Sequence, residues 1–508
     1  MSTQIRAGPR AFSGPREVPC EDDQMAGEHR NFINGHWHRS ANGETYEHRN
    51  PANLTHLTGV YQRSCAQDVS AAVDAATEAF EAWADLPCRR RGEYLRGALE
   101  LMRQRIAPIA ETITRENGKT LRESKAEIAS AIGEMEFQIH HGLRLDGQTV
   151  PSSTSGVLAY QVRRPIGPVA VIAPWNFPFN VPSRKMTPAL MAGNTCVLKP
   201  ARLTPGTAEQ FVKLFEDAGL PSGVVNLVTG PGGITGDALV TDPRIRAVTF
   251  TGSTEVGTAI HAKAAAGMKR TQLEMGGKNP LIVLEDADID AAVEAATLAA
   301  FACAGQWCIS TSRALVHKAV LDKFLAGMRQ RIDRIVLGNG MDEETTMGPV
   351  CGEAQLASVL AGIEKAKADG ANLLTGGSRA LGSRLEKGCF VEPTAFVDVE
   401  PGMSVAQEEL FGPVLAVMTV DDFENAIDIA NGVRYGLGSS IFTRDLARAL
   451  EFVRRTDVGL THVNMHTAYK EPQLSFGGVK ASGYGIPEAG KTGIEFFTEH
   501  KTIYIKGQ

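Results

Sequence analysis

The chain has 508 residues, with 43% hydrophobic and 22% charged side chains, which is the composition of a soluble globular protein. A chain of this length has more residues than one hydrophobic core ordinarily serves, so we expect two or three structural units. The formal net charge of −6 offers no basic face for a nucleic acid. No apolar run reaches the roughly 20 residues that cross a bilayer. We therefore expect neither a nucleic-acid nor a membrane partner.

The N-terminal thirty residues lack the apolar core of a secretory signal. Three early arginines suggest a transit peptide, but the acidic cluster at residues 21–23 argues against one. Eight cysteines form no C-x-x-C pair and no zinc-type quartet. In a chain this long they indicate reduced thiols. We expect a cytoplasmic protein with a flexible tail over residues 1–27 and no metal site.

The predicted elements begin with helices. Residues 68–83 carry apolar side chains at helical spacing after Asp68, a candidate N-cap, and residues 91–143 continue as long amphipathic helices. Short runs rich in Val, Ile or Leu then recur at residues 168–174, 195–200, 224–230, 247–252 and 280–285. Helical patterns lie between them at residues 205–219 and 254–267. This alternation predicts an α/β fold with a doubly wound parallel sheet, which binds ligands beyond the carboxyl ends of its strands.

The second half of the chain repeats this organisation. Residues 286–475 alternate strand and helix patterns with a different spacing, which predicts a second α/β domain. Residues 494–507 alternate like an exposed strand. An edge strand at a terminus favours pairing with another subunit.

Two glycine-rich turns are candidates for nucleotide binding. TGSTEVG (251–257) follows a strand and opens a helix, so its backbone N–H groups suit a phosphate. GPGGITG (230–236) also ends a strand. Neither is a G-x-G-x-x-G fingerprint or a Walker A loop. A purely structural role remains the alternative for each turn.

A catalytic thiol is the second candidate feature. Cys308 precedes a polar run, and a thiol nucleophile needs a base and an oxyanion donor nearby. Glu274 lies before a Gly-Gly turn, at what we expect to be a strand start, and Asn176 lies just past a strand end. Each alone is as readily a surface group or a turn former. Together they indicate an α/β enzyme, for which nucleotide binding and a catalytic thiol are the candidate features.

Seven motifs now carry a family resemblance. PWNFP, VLKPA, FTGSTEVG, LEMGGKNP, GQWC, EELFGPV and SFGGVKASGYG occur in this order across residues 174–485. Together they closely resemble the NAD(P)-dependent aldehyde dehydrogenase superfamily, from about residue 32 to the end. The resemblance implies a homodimer or homotetramer with three parts: a cofactor-binding domain (28–143 and 166–276), a catalytic domain (277–480) and a small β oligomerisation element (144–165 and 490–508).

The resemblance also implies catalytic roles. Cys308 matches the nucleophile that forms a thiohemiacetal with the aldehyde, and hydride transfer then leaves a thioester. Asn176, with the backbone N–H of Cys308, matches the oxyanion donor. Glu274 matches the base that activates the hydrolytic water, and it lies 34 residues before Cys308, as in the family. Cys303 matches no functional position and is assigned to packing.

The implied cofactor contacts run from the adenosine ribose to the nicotinamide: Lys199, Gly252, Ser253, Glu409 and Phe411, with Trp175 and Gly233 as neighbours. NAD-preferring members often have a glutamate where this chain has Arg202. A carboxylate would repel a 2′-phosphate, whereas Arg202 would attract one. We therefore expect NAD or NADP, with NADP favoured. The alternative is that Arg202 points to solvent and NAD binds through the rest of the site.

The implied substrate site centres on Arg184, eight residues after Asn176, where members for simple aliphatic aldehydes often have tryptophan. Members for succinate semialdehyde, 2-oxoglutarate semialdehyde or lactaldehyde often have arginine, which holds a carboxylate by a bidentate pair. We expect a small carboxylate-bearing semialdehyde or a hydroxyaldehyde, oxidised to the free acid. The expected tunnel contacts are polar at His466, Thr467 and Tyr469 and apolar at Trp307 and Phe177.

Two rival functions stay open at this point. A CoA-acylating dehydrogenase passes the acyl group to CoA, but such relatives generally lack the base that Glu274 matches. A non-catalytic structural protein on the same fold, as some lens crystallins are, would not need Cys308, Asn176 and Glu274 together.

Overall fold

A computed structural model describes residues 27–382 and 384–507. The tail expected over residues 1–27 therefore lies outside the described residues, except for its last residue. The helices are α1 (Ala66–Ala84), α2 (Cys88–Gln104), α3 (Ile106–Asn117), α4 (Leu121–Gly142), α5 (Asn180–Ala192), α6 (Pro205–Asp217), α7 (Asp237–Thr241), α8 (Thr254–Ala266), α9 (Ile289–Phe301), α10 (Leu321–Ile332), α11 (Glu353–Ala368), α12 (Ser404–Gln407), α13 (Phe423–Asn431), α14 (Leu446–Arg455) and α15 (Gly490–Phe496). Within the described part of the chain, no helix is both long and apolar enough to cross a bilayer.

The strands are β1 (Asn31–Ile33), β2 (His36–His38), β3 (Thr45–Asn50), β4 (Asn53–Gln62), β5 (Gln148–Val150), β6 (Val157–Pro165), β7 (Val169–Ile172), β8 (Cys196–Lys199), β9 (Val225–Leu227), β10 (Ala247–Thr251), β11 (Arg270–Glu274), β12 (Asn279–Val283), β13 (Thr311–His317), β14 (Asn372–Thr375), β15 (Thr394–Val397), β16 (Val414–Val420), β17 (Tyr435–Gly436), β18 (Gly438–Phe442), β19 (Leu460–Val463), β20 (Ser475–Phe476), β21 (Val479–Lys480), β22 (Gly483–Tyr484), β23 (Glu488–Ala489) and β24 (Thr498–Lys506).

The first sheet has eight strands in the order β2-β1-β9-β8-β7-β10-β11-β22. Its five central strands run parallel, and antiparallel strands flank them at both edges. Helices α2 to α6 contribute to the core on one face, and α1, α7 and α8 contribute to the core on the other. This arrangement is the doubly wound layering expected from the alternating sequence pattern.

Among the five parallel strands of this sheet, β11 was not predicted. β11 reads RTQLE and lacks an apolar run, yet all but its first residue are buried. The buried Gln272 is satisfied by Thr249 and by the carbonyl of Ile486, which lets a polar strand lie inside. The expectation that Glu274 opens a strand is therefore wrong, because Glu274 is the last residue of β11.

The second sheet has seven strands in the order β14-β15-β16-β13-β12-β18-β19, all parallel except the edge strand β14. The apolar run at residues 280–285 belongs to this sheet, as β12. Its core includes residues of helices α9 to α14. The α/β fold class is confirmed.

A third sheet, β24-β6-β5, is antiparallel. The strand expected from residue 494 begins only at Thr498, because α15 precedes it and buries Ile494 and Phe496 in the first domain's core. β24 pairs with β6 along its whole length and lies at the edge of the sheet.

The cap of α1 also differs from expectation. Cys65 is the N-cap, and Asp68 is the third helical residue. The Asp68 carboxylate accepts the backbone N–H of Cys65 at 2.9 Å, so it closes a capping box instead of starting the helix.

Arg313 anchors the segment of chain that passes from the first sheet to the second. Its fully buried guanidinium donates to the carbonyls of Lys278, Ile429 and Ala430 at 2.9–3.0 Å. Lys278 lies between β11 and β12, where the chain passes from the first sheet to the second. Arg313 therefore fixes this crossing against β13.

We expect Arg313→Met to lower the free energy of unfolding by about 3 kcal/mol or more, because three buried carbonyls lose their donors. Urea unfolding of the chain measures the change. The matched control is Arg331→Met, which removes a partly exposed arginine paired with Glu294 and should cost under about 1 kcal/mol. Equal losses for both variants would contradict the role of Arg313.

Candidate active site

Two cavities meet at Cys308. The first has a volume of about 280 Å³ and the second about 310 Å³, and both are lined by Asn176, Thr251 and Cys308. Thr251 is the last residue of β10, and Asn176 follows the end of β7. The junction therefore lies beyond the carboxyl ends of the parallel strands, where such sheets bind ligands.

The loop that carries Asn176 is held from the turn between α3 and α4. Asn117 donates its side-chain amide to the Trp175 carbonyl at 2.9 Å, and Lys119 donates to the Asn176 carbonyl at 2.5 Å. The Asn176 side-chain nitrogen donates to the carbonyl of Gln306 at 3.1 Å. The amide of Asn176 is thus placed beside the segment that leads to Cys308.

Lys119 forms a buried ion pair with Glu127 at 2.8 Å, with side chains 1% and 0% exposed. The other oxygen of Glu127 accepts the backbone N–H groups of Phe179 and Asn180 at 2.8 and 3.0 Å. Sequence reasoning missed both charged residues because they fall where it saw only amphipathic helices. The N-G-K-T break before α4 was the available signal, and it is a weak one.

The backbone at Cys308 is fixed by Asn279. The Asn279 amide donates to the carbonyls of Cys308 and Ser310, both at 2.8 Å, and its oxygen accepts the backbone N–H of Gly438 at 2.9 Å. Asn279 belongs to the LEMGGKNP motif, but sequence reasoning did not single it out. It is a positioning residue for Cys308.

Burial controls the ionisation of the thiol and of the candidate base. It raises the pKa of Cys308 to about 12, which the charge of Arg184 partly opposes. Burial, and then the charge of Glu488, raise the pKa of Glu274 well above its usual range. Glu274 lines neither cavity and lies behind Gly477, where an added Cβ would be 2.9 Å from its Oε1. Its buried Oε2 has no hydrogen-bond partner among the residues described.

The residues expected at the substrate tunnel nearly all line the first cavity: Phe177, Arg184, Trp307, His466 and Tyr469. The rings of Phe177 and Trp307 lie 5.3 Å apart and form an apolar wall. Thr467 was wrongly expected there. It is fully buried and donates its hydroxyl to the Ile309 carbonyl at 2.7 Å, so it supports the wall from behind.

Arg184 is held by its Nε, which donates to Glu488 at 2.7 Å. Its guanidinium carbon lies 4.4 Å from the centre of the Phe476 ring. Lys185, the next residue, contacts the other oxygen of Glu488. Within the described residues the Arg184 guanidinium makes no hydrogen bond besides this Nε contact, and the side chain lines the first cavity.

Five of the expected cofactor residues line the second cavity together: Trp175, Gly252, Ser253, Glu409 and Phe411. Ser253 is the N-cap of α8 and accepts the backbone N–H of Val256 at 3.3 Å. The turn at residues 251–257 is therefore a strand-to-helix turn, as its sequence predicts. The N-terminus of a thirteen-residue helix faces this cavity and favours an anionic ligand.

Two glycines lie against the carboxylate of Glu409 in the second cavity. Its Oε1 accepts the Gly277 backbone N–H at 3.0 Å, and a Cβ on Gly276 would lie only 1.8 Å from its Oε2. Burial raises the pKa of Glu409 to about 7. Phe411 has a positive φ of 50° and meets the Trp175 ring edge-on at 5.4 Å. Only glycine fits beside this carboxylate.

Lys199, Arg202 and Gly233 lie outside both cavities. Lys199 ends β8, donates to the Pro200 carbonyl at 2.6 Å, and has its pKa lowered to about 8 by burial. Gly233 lies in a short π-helical turn, Gly232–Gly236, that approaches the Lys199 side chain. Lys199 and Gly233 therefore lie at the carboxyl ends of β8 and β9, next to the strands that border the two cavities.

Arg202 is exposed, and its guanidinium carbon lies 5.5 Å from the centre of the Tyr46 ring. It makes no ion pair within residues 27–382 and 384–507. The Arg202 guanidinium therefore lies at the surface, above the ring of Tyr46 in β3.

Cys303 is buried, as its assignment to packing implies, but it also lines the first cavity. Its φ is +53°, and its backbone N–H donates to Glu123 at 2.7 Å. No group of three or more His, Cys, Asp and Glu side chains arranged for a metal ion occurs in the described part of the chain.

Comparison with known proteins identifies the family. Residues 37–503 match the model of the aldehyde dehydrogenase family. The chain belongs to the aldehyde dehydrogenase family. The resemblance seen in the motifs is confirmed, and this aldehyde dehydrogenase is an enzyme.

Similar proteins cover nearly the whole aldehyde dehydrogenase chain. Alpha-ketoglutaric semialdehyde dehydrogenase of Bacillus subtilis is 44% identical over 94% of this chain and 98% of its own. Succinate-semialdehyde dehydrogenase [NADP(+)] of Escherichia coli is 38% identical over 93% and 97%. The crystal structure of betaine aldehyde dehydrogenase from Staphylococcus aureus in complex with NAD+ has a TM-score of 0.92 at 33% identity, covering 94% and 95%.

We expect alkylation of Cys308 by iodoacetamide to accelerate about tenfold per pH unit from about pH 7 to about pH 10 without a plateau, because the thiol pKa lies near 12. Peptide mapping by mass spectrometry reads Cys308 separately from Cys303. Arg184→Gln should slow the reaction at each pH, since losing this cation raises the thiol pKa further. A plateau near neutral pH would show a stabilised thiolate instead.

Proposed function

We propose that the protein oxidises a small carboxylate-bearing semialdehyde to the free acid with NAD or NADP, through a covalent intermediate on Cys308. The observation that carries the proposal is the junction of the two cavities at Cys308. The first cavity holds Arg184, and the second holds Glu409 and the N-terminus of α8. Thiol, substrate and cofactor would meet at that junction.

The Cys308 sulfur bonds to the aldehyde carbon, the carbonyl electron pair moves onto the aldehyde oxygen, and the thiol proton passes to a water in the cavity. Asn176 has two amide N–H groups, of which one is donated to Gln306, so the second is available to the oxyanion. The backbone N–H of Cys308 is the other proposed donor. A donor of this kind lowers a barrier by roughly 3–4 kcal/mol.

The second cavity suits a nicotinamide dinucleotide, which supplies the hydride acceptor when bound. The helix N-terminus at Ser253 suits its phosphates, and Glu409 suits a ribose hydroxyl. The missing Cβ at Gly276 leaves room for that carboxylate. The Escherichia coli relative is named for NADP(+), and the Staphylococcus aureus structure is a complex with NAD+, which together support both cofactors.

Glu274 is the proposed base for hydrolysis of the thioester. Its raised pKa makes the carboxylate a stronger base, and its free Oε2 is not committed to another contact. The side chain has to turn past Gly477 to reach a water beside Cys308. There it accepts the proton of the attacking water, and the Cys308 thiolate leaves.

We expect Glu274→Gln to release one equivalent of reduced cofactor per site quickly, and then to turn over roughly 10²–10⁴-fold more slowly than the native enzyme. Rapid mixing followed by absorbance of the reduced cofactor measures both phases.

Added CoA should leave native turnover unchanged. CoA-dependent turnover would instead support the acylating rival, and no turnover or cofactor binding at all would support the structural rival.

The substrate proposal depends on Arg184 in the first cavity. This side chain shares the cavity with Phe177 and Trp307, so an acidic aldehyde would place its carboxylate at the guanidinium and its carbonyl at Cys308. The Bacillus subtilis and Escherichia coli relatives act, by name, on alpha-ketoglutaric and succinate semialdehydes, which supports this class.

We expect Arg184→Gln to raise KM for succinate semialdehyde roughly 10–100-fold and to change KM for butanal much less, because butanal has no carboxylate to bind. Steady-state kinetics with both aldehydes measures the difference. Arg184→Lys keeps the charge but loses the planar guanidinium, so its KM for succinate semialdehyde should lie between those of the native enzyme and of Arg184→Gln. Equal effects on both aldehydes would count against the carboxylate contact.

Cofactor preference depends on Arg202, which we propose meets the 2′-phosphate of NADP. Arg202→Glu should shift the ratio of kcat/KM for NADP over NAD roughly tenfold or more toward NAD, because a carboxylate repels the phosphate. Lys323→Glu, an equal charge change on exposed α10, is the control and should leave the ratio unchanged. A native enzyme with a strong preference for NAD would contradict the proposal.

We also propose a cytoplasmic homodimer or homotetramer. The seven cysteines within the described residues are free thiols, which suits a reducing compartment. The edge strand β24 exposes Tyr504 and Ile505, which suits pairing between subunits.

A further inference from the structure

The second cavity has one arginine among three carboxylates. The carboxylates are those of Glu255, Glu408 and Glu409. Within the described residues, Arg434 is the only lysine or arginine that lines this cavity. The diphosphate of a nicotinamide dinucleotide would bring two further negative charges, and like charges repel more strongly near a protein surface than in bulk water. Arg434 is therefore the side chain that can offset the charge of an anionic cofactor here.

The Arg434 guanidinium has more donors than its present partners use. Its Nη2 donates to Glu255 at 3.2 Å, to Glu408 at 3.1 Å and to the Tyr435 hydroxyl at 2.7 Å. Nη2 carries two hydrogens, so these three acceptors share them. Nε and Nη1 make no hydrogen bond to any described residue. The guanidinium carbon lies 4.7 Å from the centre of the Tyr435 ring, which supports the group beside the cavity.

Glu255 lies at the helix end that the proposed phosphate site uses. It is the second residue of α8, where the positive end of the helix favours an anion. A hydrogen bond from its own backbone N–H lowers the pKa of Glu255, burial opposes this shift, and Arg434 lowers the pKa further. The side chain is 68% exposed, so it has room to swing away. The Glu255 carboxylate is thus the anion that now contacts this helix end.

We propose that Arg434 binds the diphosphate of the nicotinamide dinucleotide, and that Glu255 competes with this diphosphate for Arg434 and for the N-terminus of α8. The inference rests on the proposed function, which puts the dinucleotide in the second cavity, and it assigns two further residues to that site. Exposed ion pairs contribute little to stability, so Arg434 can release Glu255. Its Nη1 and Nη2 then form the planar fork that fits phosphate oxygens.

A structural latch is the alternative role for this ion pair. Glu255 belongs to α8, which packs on the first sheet, whereas Arg434 directly precedes β17, so the pair also joins two parts of the fold across the cavity. If the pair is a latch, replacing either partner removes the same contact and has the same effect. If the diphosphate competes with Glu255 for Arg434, the two replacements have opposite effects. The signs of the two effects therefore decide between these roles.

The test measures binding of ADP-ribose, which contains the diphosphate, and of adenosine, which lacks it, by calorimetry of the whole chain. Arg434→Gln should raise the Kd for ADP-ribose at least about tenfold and change the Kd for adenosine less than about twofold, because only ADP-ribose loses a charged hydrogen bond. Arg434→Lys keeps the charge and should restore part of the affinity. An unchanged Kd for ADP-ribose in Arg434→Gln would overturn the inference.

Replacing the competing carboxylate gives the opposite sign. Glu255→Gln should lower the Kd for ADP-ribose about two- to fivefold, because the helix end and Arg434 lose a competing anion. An unchanged or higher Kd in this variant would overturn the inference, and a rise that parallels Arg434→Gln would indicate the latch. The matched control is Arg448→Gln, which removes another partly exposed arginine, paired with Glu285 at 2.7 Å and outside both cavities. It should leave both Kd values unchanged.

The same titrations separate this inference from the proposed function, because they need no turnover. A native protein that binds neither ADP-ribose nor NAD nor NADP would contradict the proposed function and the inference together. Native binding that Arg434→Gln leaves intact would overturn the inference alone. Failure to oxidise any semialdehyde, with the expected changes in Kd, would contradict the proposed substrate and support the role of Arg434.

Discussion

The buried ion pair between Lys119 and Glu127 is the contact on which the site geometry depends. Lys119 also holds the Asn176 carbonyl, and Glu127 also holds the first backbone N–H groups of α5, which carries Arg184. Removing either charge would leave the other buried and unpaired, which costs about 3–5 kcal/mol. One ion pair thus aligns Asn176, the proposed oxyanion donor, with the helix that lines the first cavity.

A second constraint is that Cys308 and Glu274 have few polar neighbours, although Cys308 lines both cavities. Burial keeps the Cys308 thiol protonated in the described state, and it makes Glu274 basic. Glu488 stays ionised because Lys185 and Arg184 both contact it. Burial and charged neighbours together therefore set which carboxyl group takes up a proton more readily, and here it is Glu274 rather than Glu488.

Much of the architecture could be predicted from the order of residues. Strands of a parallel sheet are buried on both faces and appear as short continuous apolar runs, so β7, β8, β9 and β10 were recognisable. β11 was not, because its polar side chains are satisfied by groups from distant parts of the chain. The hydrophobic pattern of a sequence indicates where apolar side chains are buried, but it does not reveal a buried strand whose polar side chains are hydrogen-bonded to each other.

The fold class, the family and the motifs that contain Cys308, Asn176 and Glu274 could all be predicted from the order of residues. The three-dimensional structure was needed to show that Thr467 packs behind the cavity wall, and that Lys470 and Asn180 line the first cavity. The physical reason is distance along the chain. These polar side chains are defined by neighbours on other elements, and local sequence patterns carry no information about which distant donor and acceptor will meet.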